Sequence, residues 1–315
     1  MSAILVAVDG PQAGDWLAAL RDAARGREVR AWPDAVGDPA GIAYACVWLP
    51  PRGLLAQCPN LKAIINLGAG ADRLLADPTL PDVPLARVAH PDLTMRVTEY
   101  VVLHVLLHHR RQRDYDRLQR AHDWREFPQP AADEVRVGVM GMGVLGRDAA
   151  EKLRDLGFRV AGWSQTPKGV PGIESFAGAD GFEACLGRTD ILVCLLPLTP
   201  QTRGLIDAAL IAKLARDGAG PGPYLINAGR GGLQVEADIL AALDGGLLAG
   251  ATLDVFETEP LPAASPLWDH PLVTITPHNA SISDPRAVGR QILGQIATYE
   301  AGGALVNLVD PRRAY

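Results

Sequence analysis

The stretch from Val135 to Leu156 constrains the fold more than any other part of the chain. Val135-Arg-Val-Gly-Val-Met140 reads as a buried strand, runs straight into Gly141-Met-Gly-Val-Leu-Gly146, and is followed by a helical pattern over Arg147–Leu156. A bare G-x-G-x-x-G is a weak signal, but strand, glycines and helix in this order describe half of a crossover unit in a parallel sheet. Gly141 permits a tight turn, Gly143 lets backbone approach a pyrophosphate, and Gly146 lets the helix pack closely on the strand. The helix then points its unpaired N-terminal N–H groups at the phosphates. Met142, Val144 and Leu145 complete the loop that lines such a ligand.

The same rhythm runs through the whole chain. Short apolar runs at Ile4–Val8, Ala45–Leu49, Ala63–Leu67 and Leu85–Val88 alternate with helical patterns before the glycine loop. After it come strand candidates at Arg159–Trp163, Ile191–Leu195, Tyr224–Asn227, Gly250–Leu253 and Val273–Ile275, and a last helical pattern over Pro285–Ala301. Alternation of this kind predicts an α/β fold with parallel sheets. A length of 315 residues suggests two domains. The longest helical pattern spans Thr98 to about Arg120. The segment Phe127–Glu134, rich in proline and acid, separates it from the glycine-loop strand as a boundary would. Asp217–Pro223, dense in glycine and proline, reads as a surface loop.

Composition narrows the function classes. With 48% apolar and 21% charged residues the chain is not largely disordered, and a net charge of -6 argues against a nucleic-acid protein. The four cysteines, Cys46, Cys58, Cys185 and Cys194, form no C-x-x-C pair and fit buried thiols in a reducing compartment. No basic stretch precedes the first apolar run, and no segment approaches the roughly 18 apolar residues of a membrane helix, so a cytoplasmic, membrane-free protein is expected. His104, His108 and His109 share a helical pattern without an H-E-x-x-H arrangement, and no metal site is expected there.

The strand after the glycine loop decides between cofactors. An NAD site usually ends it with an acid that holds the ribose 2′-hydroxyl. Here it ends Trp163-Ser-Gln-Thr-Pro-Lys168, with no acid. Ser164, Gln165 and Thr166 can donate to a 2′-phosphate and Lys168 can neutralise it, which favours NADPH over NADH.

Three further motifs each follow a predicted strand, where ligands bind in an open parallel sheet. They are Asn227-Ala-Gly-Arg-Gly-Gly232, Leu253-Asp-Val-Phe-Glu-Thr-Glu-Pro260 and Thr276-Pro-His-Asn-Ala280. With Leu67-Gly-Ala-Gly-Ala-Asp72, the glycine loop and Leu195-Leu-Pro-Leu-Thr-Pro-Gln-Thr202, the chain resembles the D-isomer-specific 2-hydroxyacid dehydrogenases over nearly its whole length. Trp163–Lys168 and the ending Val309-Asp-Pro-Arg-Arg-Ala-Tyr315 make it most similar to the short glyoxylate/hydroxypyruvate reductases within that family. Gln165 departs from the arginine often found beside the serine in NADPH-preferring relatives.

The resemblance implies a catalytic set of Arg230, Glu259 and His278. A 2-oxo acid offers a carboxylate and a carbonyl, which a planar guanidinium can hold together. Hydride addition builds charge on oxygen, and a histidine is suited to protonate it, with a neighbouring acid favouring the imidazolium. Taken singly, each residue has a duller reading as a loop arginine, a core histidine or a helix N-terminal acid. The resemblance further implies that backbone at Ala69 and Gly70 receives the substrate carboxylate, and that Pro197, Thr202, Ala228 and Asp254 line the cofactor, Asp254 at the nicotinamide carboxamide. Trp48 is read as core, with a pocket wall as the alternative.

The implied fold is two Rossmann-like or flavodoxin-like domains with the active site in a cleft. Residues 1–98 plus 282–315 form the substrate domain, and 99–281 bind the dinucleotide. The implied reaction is NADPH-dependent reduction of glyoxylate to glycolate and of hydroxypyruvate to D-glycerate, in a homodimer built through the Thr98–Arg120 region. Two alternatives stay open. One is the same chemistry on pyruvate, a bulkier oxo acid or 3-phosphohydroxypyruvate. The other is a nucleotide-sensing, corepressor-like scaffold.

Overall fold

A computed structural model describes residues Ser2–Asp310. The Pro311–Tyr315 part of the C-terminal motif lies outside the described residues. The chain divides into two compact units, Met1–Leu93 with Ser283–Tyr315, and Thr94–Ile282.

The first unit opens with β1 (Ala3–Val8), α1 (Ala13–Ala23), β2 (Val29–Ala31), β3 (Ile42–Trp48), β4 (Ala63–Asn66), α2 (Asp72–Leu75) and β5 (Leu85–Arg87). Its sheet runs β2-β1-β3-β4-β5, the flavodoxin-like order, with every pair parallel. Leu5, Ile42, Val47, Ile64 and Leu85 pack its core.

The chain continues through α3 (Pro91–His109), α4 (Gln112–Arg120), β6 (Arg136–Met140), α5 (Val144–Asp155), β7 (Arg159–Ser164), β8 (Glu174–Ala177), α6 (Gly178–Leu186) and β9 (Ile191–Cys194). Next come α7 (Ala208–Ala212), β10 (Tyr224–Asn227), α8 (Glu236–Asp244), β11 (Gly250–Leu253) and β12 (Val273–Ile275). Here the sheet order is β12-β11-β10-β9-β6-β7-β8, again all parallel. The order reverses between β6 and β9, the switch point beside which dinucleotides bind in doubly wound sheets. Met140, Leu192, Leu225, Ile239 and Leu253 lie in one buried cluster along it.

The last helix, α9 (Pro285–Glu300), packs on α1, where a Cβ at Gly289 would sit 3.6 Å from the Ala19 carbonyl oxygen. Arg27, just past the turn that follows α1, pairs with Glu300. Beyond α9 the chain returns to the β5 edge, where Arg87 N–H donates to Asn307 O (3.1 Å) and Val309 N–H to Leu85 O (2.8 Å).

Three sequence expectations are corrected. The long helix starts at Pro91 and not Thr98, because proline at a first helical position and Asp92 in the first turn favour an early start. It also breaks into α3 and α4 at Arg111, whose φ of 54° is left-handed. That turn is held by Asp114, which accepts from Arg111 Nε at 2.9 Å, and by the Arg111 guanidinium lying 3.7 Å over the Phe127 ring. The predicted strand list also lacks β2 and β8, a short strand and an exposed edge strand respectively.

The Asp217–Pro223 loop is tied down at one end. Arg136 donates to both oxygens of Asp190 and to Asp217, at 2.7–3.0 Å. This clamp stands at the N-terminal ends of β6, β9 and β10, away from the glycine loop.

Candidate active site

The glycine loop has the geometry its sequence demands. Gly141 sits at φ 104°, and a Cβ there would come 2.8 Å from Leu195 O. At Gly146 a Cβ would lie 2.0 Å from Gly141 O, so only glycine lets α5 close on the turn. Gly143 is different, because nothing lies within 4 Å of where its Cβ would be. It also caps α5, and among the described residues no side-chain cap bonds the first-turn N–H groups. Open space beside free helix N–H donors fits a pyrophosphate. Met142 contributes backbone only, since its thioether is buried under Gly162. Val144 is 68% exposed at the first helical position, with Leu145 half-buried behind it.

At the end of β7, Trp163 is buried and its indole N–H donates to Gly178 O at 2.9 Å. Gln165, Thr166 and Lys168 are exposed, and Ser164 donates to Thr166 O at 2.7 Å, folding this segment into a short polar turn. After β9, Thr202 closes a second turn, donating to Pro197 O and accepting from Thr199 N–H, both at 2.8 Å. Ala228 follows β10 half-buried, its N–H bonded to Cys194 O at 3.2 Å.

Arg230 stands in the next turn, held from below by buried amides. Asn227 Nδ2 donates to Arg230 O (3.1 Å) and Gln234 Oε1 (2.8 Å), while Gln234 Nε2 donates to Val255 O (2.9 Å). A Cβ at Gly231 would lie 1.8 Å from Phe256 O, so this turn packs directly on the segment after β11. That segment carries Glu259, whose Oε1 accepts from Phe256 N–H at 3.1 Å and whose Oε2 lies 2.9 Å from His278 Nδ1. Glu257, the other acid of the motif, instead pairs with Glu236: its carboxylate accepts from Glu236 N–H, and its own N–H donates to Glu236 Oε1 at 2.9 Å.

His278 itself has a left-handed backbone, φ 51°, unusual for a residue with a Cβ. Asp254 holds it there. His278 N–H donates to Asp254 O at 2.8 Å. The carboxylate, 1% exposed, accepts from Thr276 Oγ1 (2.6 Å), Asn279 N–H (2.9 Å) and Ala280 N–H (3.0 Å). Tyr100 on α3 shares a hydrogen bond of 2.7 Å with Thr276. The side chain of Asp254 thus braces the histidine loop.

In the first unit, Gly68-Ala-Gly70 follows β4. Asn66 Nδ2 donates to the carbonyls of Gly68 and Gly70 at 2.8 Å each, and Arg87 donates to that of Ala69 at 3.0 Å. These bonds fix three consecutive carbonyls, and the amides of Ala69 and Gly70 make no backbone hydrogen bond among the described residues. Sequence reading passed over Asn66 and Arg87. The available signal is a single polar residue ending an otherwise apolar strand, with Asn66 only 2% exposed.

The three histidines of α3 are structural. His104 Nδ1 bonds Tyr100 O (2.8 Å), His108 Nε2 bonds Thr252 Oγ1 (2.9 Å), and His109 meets the edge of Phe158. Burial pushes the His108 imidazole down to about 3.

A doubly wound sheet with a phosphate loop at its switch point, together with an Arg, Glu and His group above the same strand ends, defines a dinucleotide-dependent oxidoreductase. Residues 102–280 match the family described as D-isomer specific 2-hydroxyacid dehydrogenase, NAD binding domain. A glyoxylate/hydroxypyruvate reductase A of Serratia proteamaculans is 43% identical over 309 residues, covering 96% of each chain. Among solved structures, an NADPH-dependent glyoxylate/hydroxypyruvate reductase of Sinorhizobium meliloti, in complex with NADP and sulfate, superposes with a TM-score of 0.96 at 48% identity over all of both chains. A D-isomer specific 2-hydroxyacid dehydrogenase of Xanthobacter autotrophicus Py2, in complex with NADPH and MES, gives 0.93 at 44% identity over 100% of this chain and 99% of that one. The chain belongs to the D-isomer-specific 2-hydroxyacid dehydrogenases.

Proposed function

We propose that this enzyme reduces small 2-oxo acids with NADPH, taking glyoxylate to glycolate and hydroxypyruvate to D-glycerate. The observation that carries the reading is the His278–Glu259 pair, 2.9 Å apart, on the loops after β11 and β12, with the Arg230 turn after β10 packed against the first of them. The glycine loop holds the pyrophosphate, and Ser164, Gln165, Thr166 and Lys168 take the 2′-phosphate, with no carboxylate there to repel it. The reduced nicotinamide, when bound, supplies the hydride. The chain's own residues do the rest. Arg230 takes the substrate carboxylate and polarises the carbonyl through its fork of donors, and the amides of Ala69 and Gly70 receive the carboxylate as well. Glu259 fixes the imidazole by its Nδ1, which leaves Nε2 to give its proton to the carbonyl oxygen.

In this reading Thr94–Ile282 serves the dinucleotide and the other unit the substrate. A homodimer through α3 and α4 and a cytoplasmic site of action belong to the same proposal. The described structure has four unpaired, buried cysteines and no helix long and apolar enough to cross a membrane.

The test is nicotinamide oxidation with NADPH and NADH against glyoxylate, hydroxypyruvate and pyruvate, for the wild type and His278→Ala. NADPH-selective turnover of the first two acids, lost in the variant, is the expected result. Turnover with NADH alone would overturn the cofactor reading. Tight NADPH binding without turnover of any acid would replace the enzyme reading with a nucleotide-sensing one.

A further inference from the structure

One face of α3 reaches the loops of the site through hydroxyl groups. Tyr100, His104 and His108 stand four residues apart, so all three project from one side of the helix, and all are buried. The Tyr100 and His104 rings lie 4.1 Å apart, and His104 Nδ1 bonds the Tyr100 carbonyl at 2.8 Å. At one end of this stripe Tyr100 bonds Thr276 (2.7 Å), and at the other His108 bonds Thr252 (2.9 Å). Thr252 lies on β11 two residues before Asp254, and Thr276 follows β12 two residues before His278. One helix therefore holds both segments that shape the histidine loop, each at the same step from its site residue.

The direction of the Tyr100 bond follows from its neighbours. Both carboxylate oxygens of Asp254 accept, from Asn279 and Ala280 N–H, so the Thr276 hydroxyl gives its one proton to Asp254, at 2.6 Å. Thr276 Oγ1 is then left only to accept, and the Tyr100 hydroxyl is the donor. Burial, with the Asp254 charge nearby, pushes the Tyr100 phenol well above its ordinary range, so the proton this direction requires stays in place. The chain runs from Tyr100 to Thr276 to Asp254, and each bond polarises the next.

We propose that Tyr100 is a positioning residue for the reaction: its hydroxyl, acting through Thr276 and Asp254, holds the His278 loop in the turn that aims the imidazole. The inference rests on the reading of His278 as proton donor. A left-handed histidine persists only where bonds on both sides enforce it. The N–H groups of Asn279 and Ala280 fix the far side of His278, and the Thr276 hydroxyl supplies the side-chain bond on the near side. Without Tyr100, Thr276 keeps its proton and loses the donor that fixes its oxygen from α3. The near side then slackens while the glycine loop, on other strands, is untouched.

The experiment compares Tyr100→Phe, Thr276→Val, Thr276→Ser and the double variant Tyr100→Phe/Thr276→Val with wild type. It measures kcat and KM for glyoxylate and NADPH, the melting temperature, and the His278 ring resonances by NMR of ligand-free, histidine-labelled protein, assigned by their loss in His278→Ala. Tyr100→Phe is expected to lower kcat about fivefold to tenfold, the scale of one hydrogen bond, with KM for NADPH unchanged and the His278 signals displaced. Thr276→Val removes both bonds and is expected to cost more, whereas Thr276→Ser keeps the hydroxyl and most of kcat. The double variant is expected to match Thr276→Val, because both substitutions cut one chain. Unchanged kcat with unmoved His278 signals in a folded Tyr100→Phe enzyme would overturn the proposal. So would losses that multiply in the double variant, or a melting temperature that falls while kcat and the ring signals hold. A wild type that turns over no 2-oxo acid would instead refute the catalytic reading, and the ring signals alone would then decide whether Tyr100 positions the loop.

Discussion

Consider Asp254→Ala. The carboxylate accepts from Thr276, Asn279 and Ala280, and these bonds bracket His278 in its left-handed conformation. Hydrogen bonds to a charged acceptor contribute roughly 1.5–3 kcal/mol each when water cannot replace them. Asn279 is exposed, so water takes over there, and Thr276 keeps Tyr100 as a partner. The buried Ala280 N–H is stranded outright. The expected loss is about 2–5 kcal/mol, which at roughly 2–4 °C per kcal/mol lowers the melting temperature by about 10 °C. Without its bracket the loop also relaxes from a conformation that itself costs about 1–2 kcal/mol. An imidazole displaced by an ångström can cost on the order of a hundredfold in rate. Differential scanning fluorimetry and steady-state kinetics should therefore show a lower melting temperature and a kcat down about a hundredfold, with NADPH affinity within a few-fold of wild type. Asp254→Asn, which keeps one acceptor oxygen, should fall between. If the variant instead loses NADPH affinity at full kcat and unchanged melting temperature, the carboxylate serves the nicotinamide carboxamide and the loop argument is wrong.

Other substitutions probe the remaining parts. Arg230→Lys keeps the charge and loses the planar fork, so kcat/KM for hydroxypyruvate should drop at least a hundredfold while NADPH binding persists in a fluorescence titration. Ser164→Asp places a carboxylate where the 2′-phosphate is proposed to sit and should shift the NADPH to NADH ratio of kcat/KM by tenfold or more toward NADH. His108 is kept neutral by burial at a pKa of about 3, whereas in the unfolded chain it takes a proton near 6.5. Its contribution is therefore complete above pH 6.5 and declines by about 1.4 kcal/mol per pH unit as pH falls toward 3. Urea titrations at pH 7, 6 and 5 should show this decline in wild type and a flatter one in His108→Gln, relative to each protein's stability at pH 7.

The sheet strands were largely legible because fully buried parallel strands are apolar runs with nothing else to say. Val29–Ala31 and Glu174–Ala177 escaped for the opposite reason, since edge strands carry mixed residues and borrow their conformation from the neighbour they pair with. The break at Arg111 has no glycine or proline to announce it and depends on Asp114 and Phe127, a contact that no local pattern contains. In the site, chemistry-bearing side chains with distinctive spacing, Arg230, Glu259 and His278, could be picked out. Asn66, Arg87, Gln234 and Tyr100 could not, because each acts by holding another residue's backbone or hydroxyl. Met142 shows the converse, a motif position whose side chain belongs to the core.

The return of Asn307–Val309 to the β5 edge ties the segment after α9 to the glycine turn after β4 by a short mechanical route. Arg87 N–H is pinned by Asn307 O, and the guanidinium of the same residue holds the Ala69 carbonyl. A purification tag that tugs on this seam, or a truncation that removes it, would free an edge strand to seek other partners. It would also slacken the turn proposed to grip the substrate.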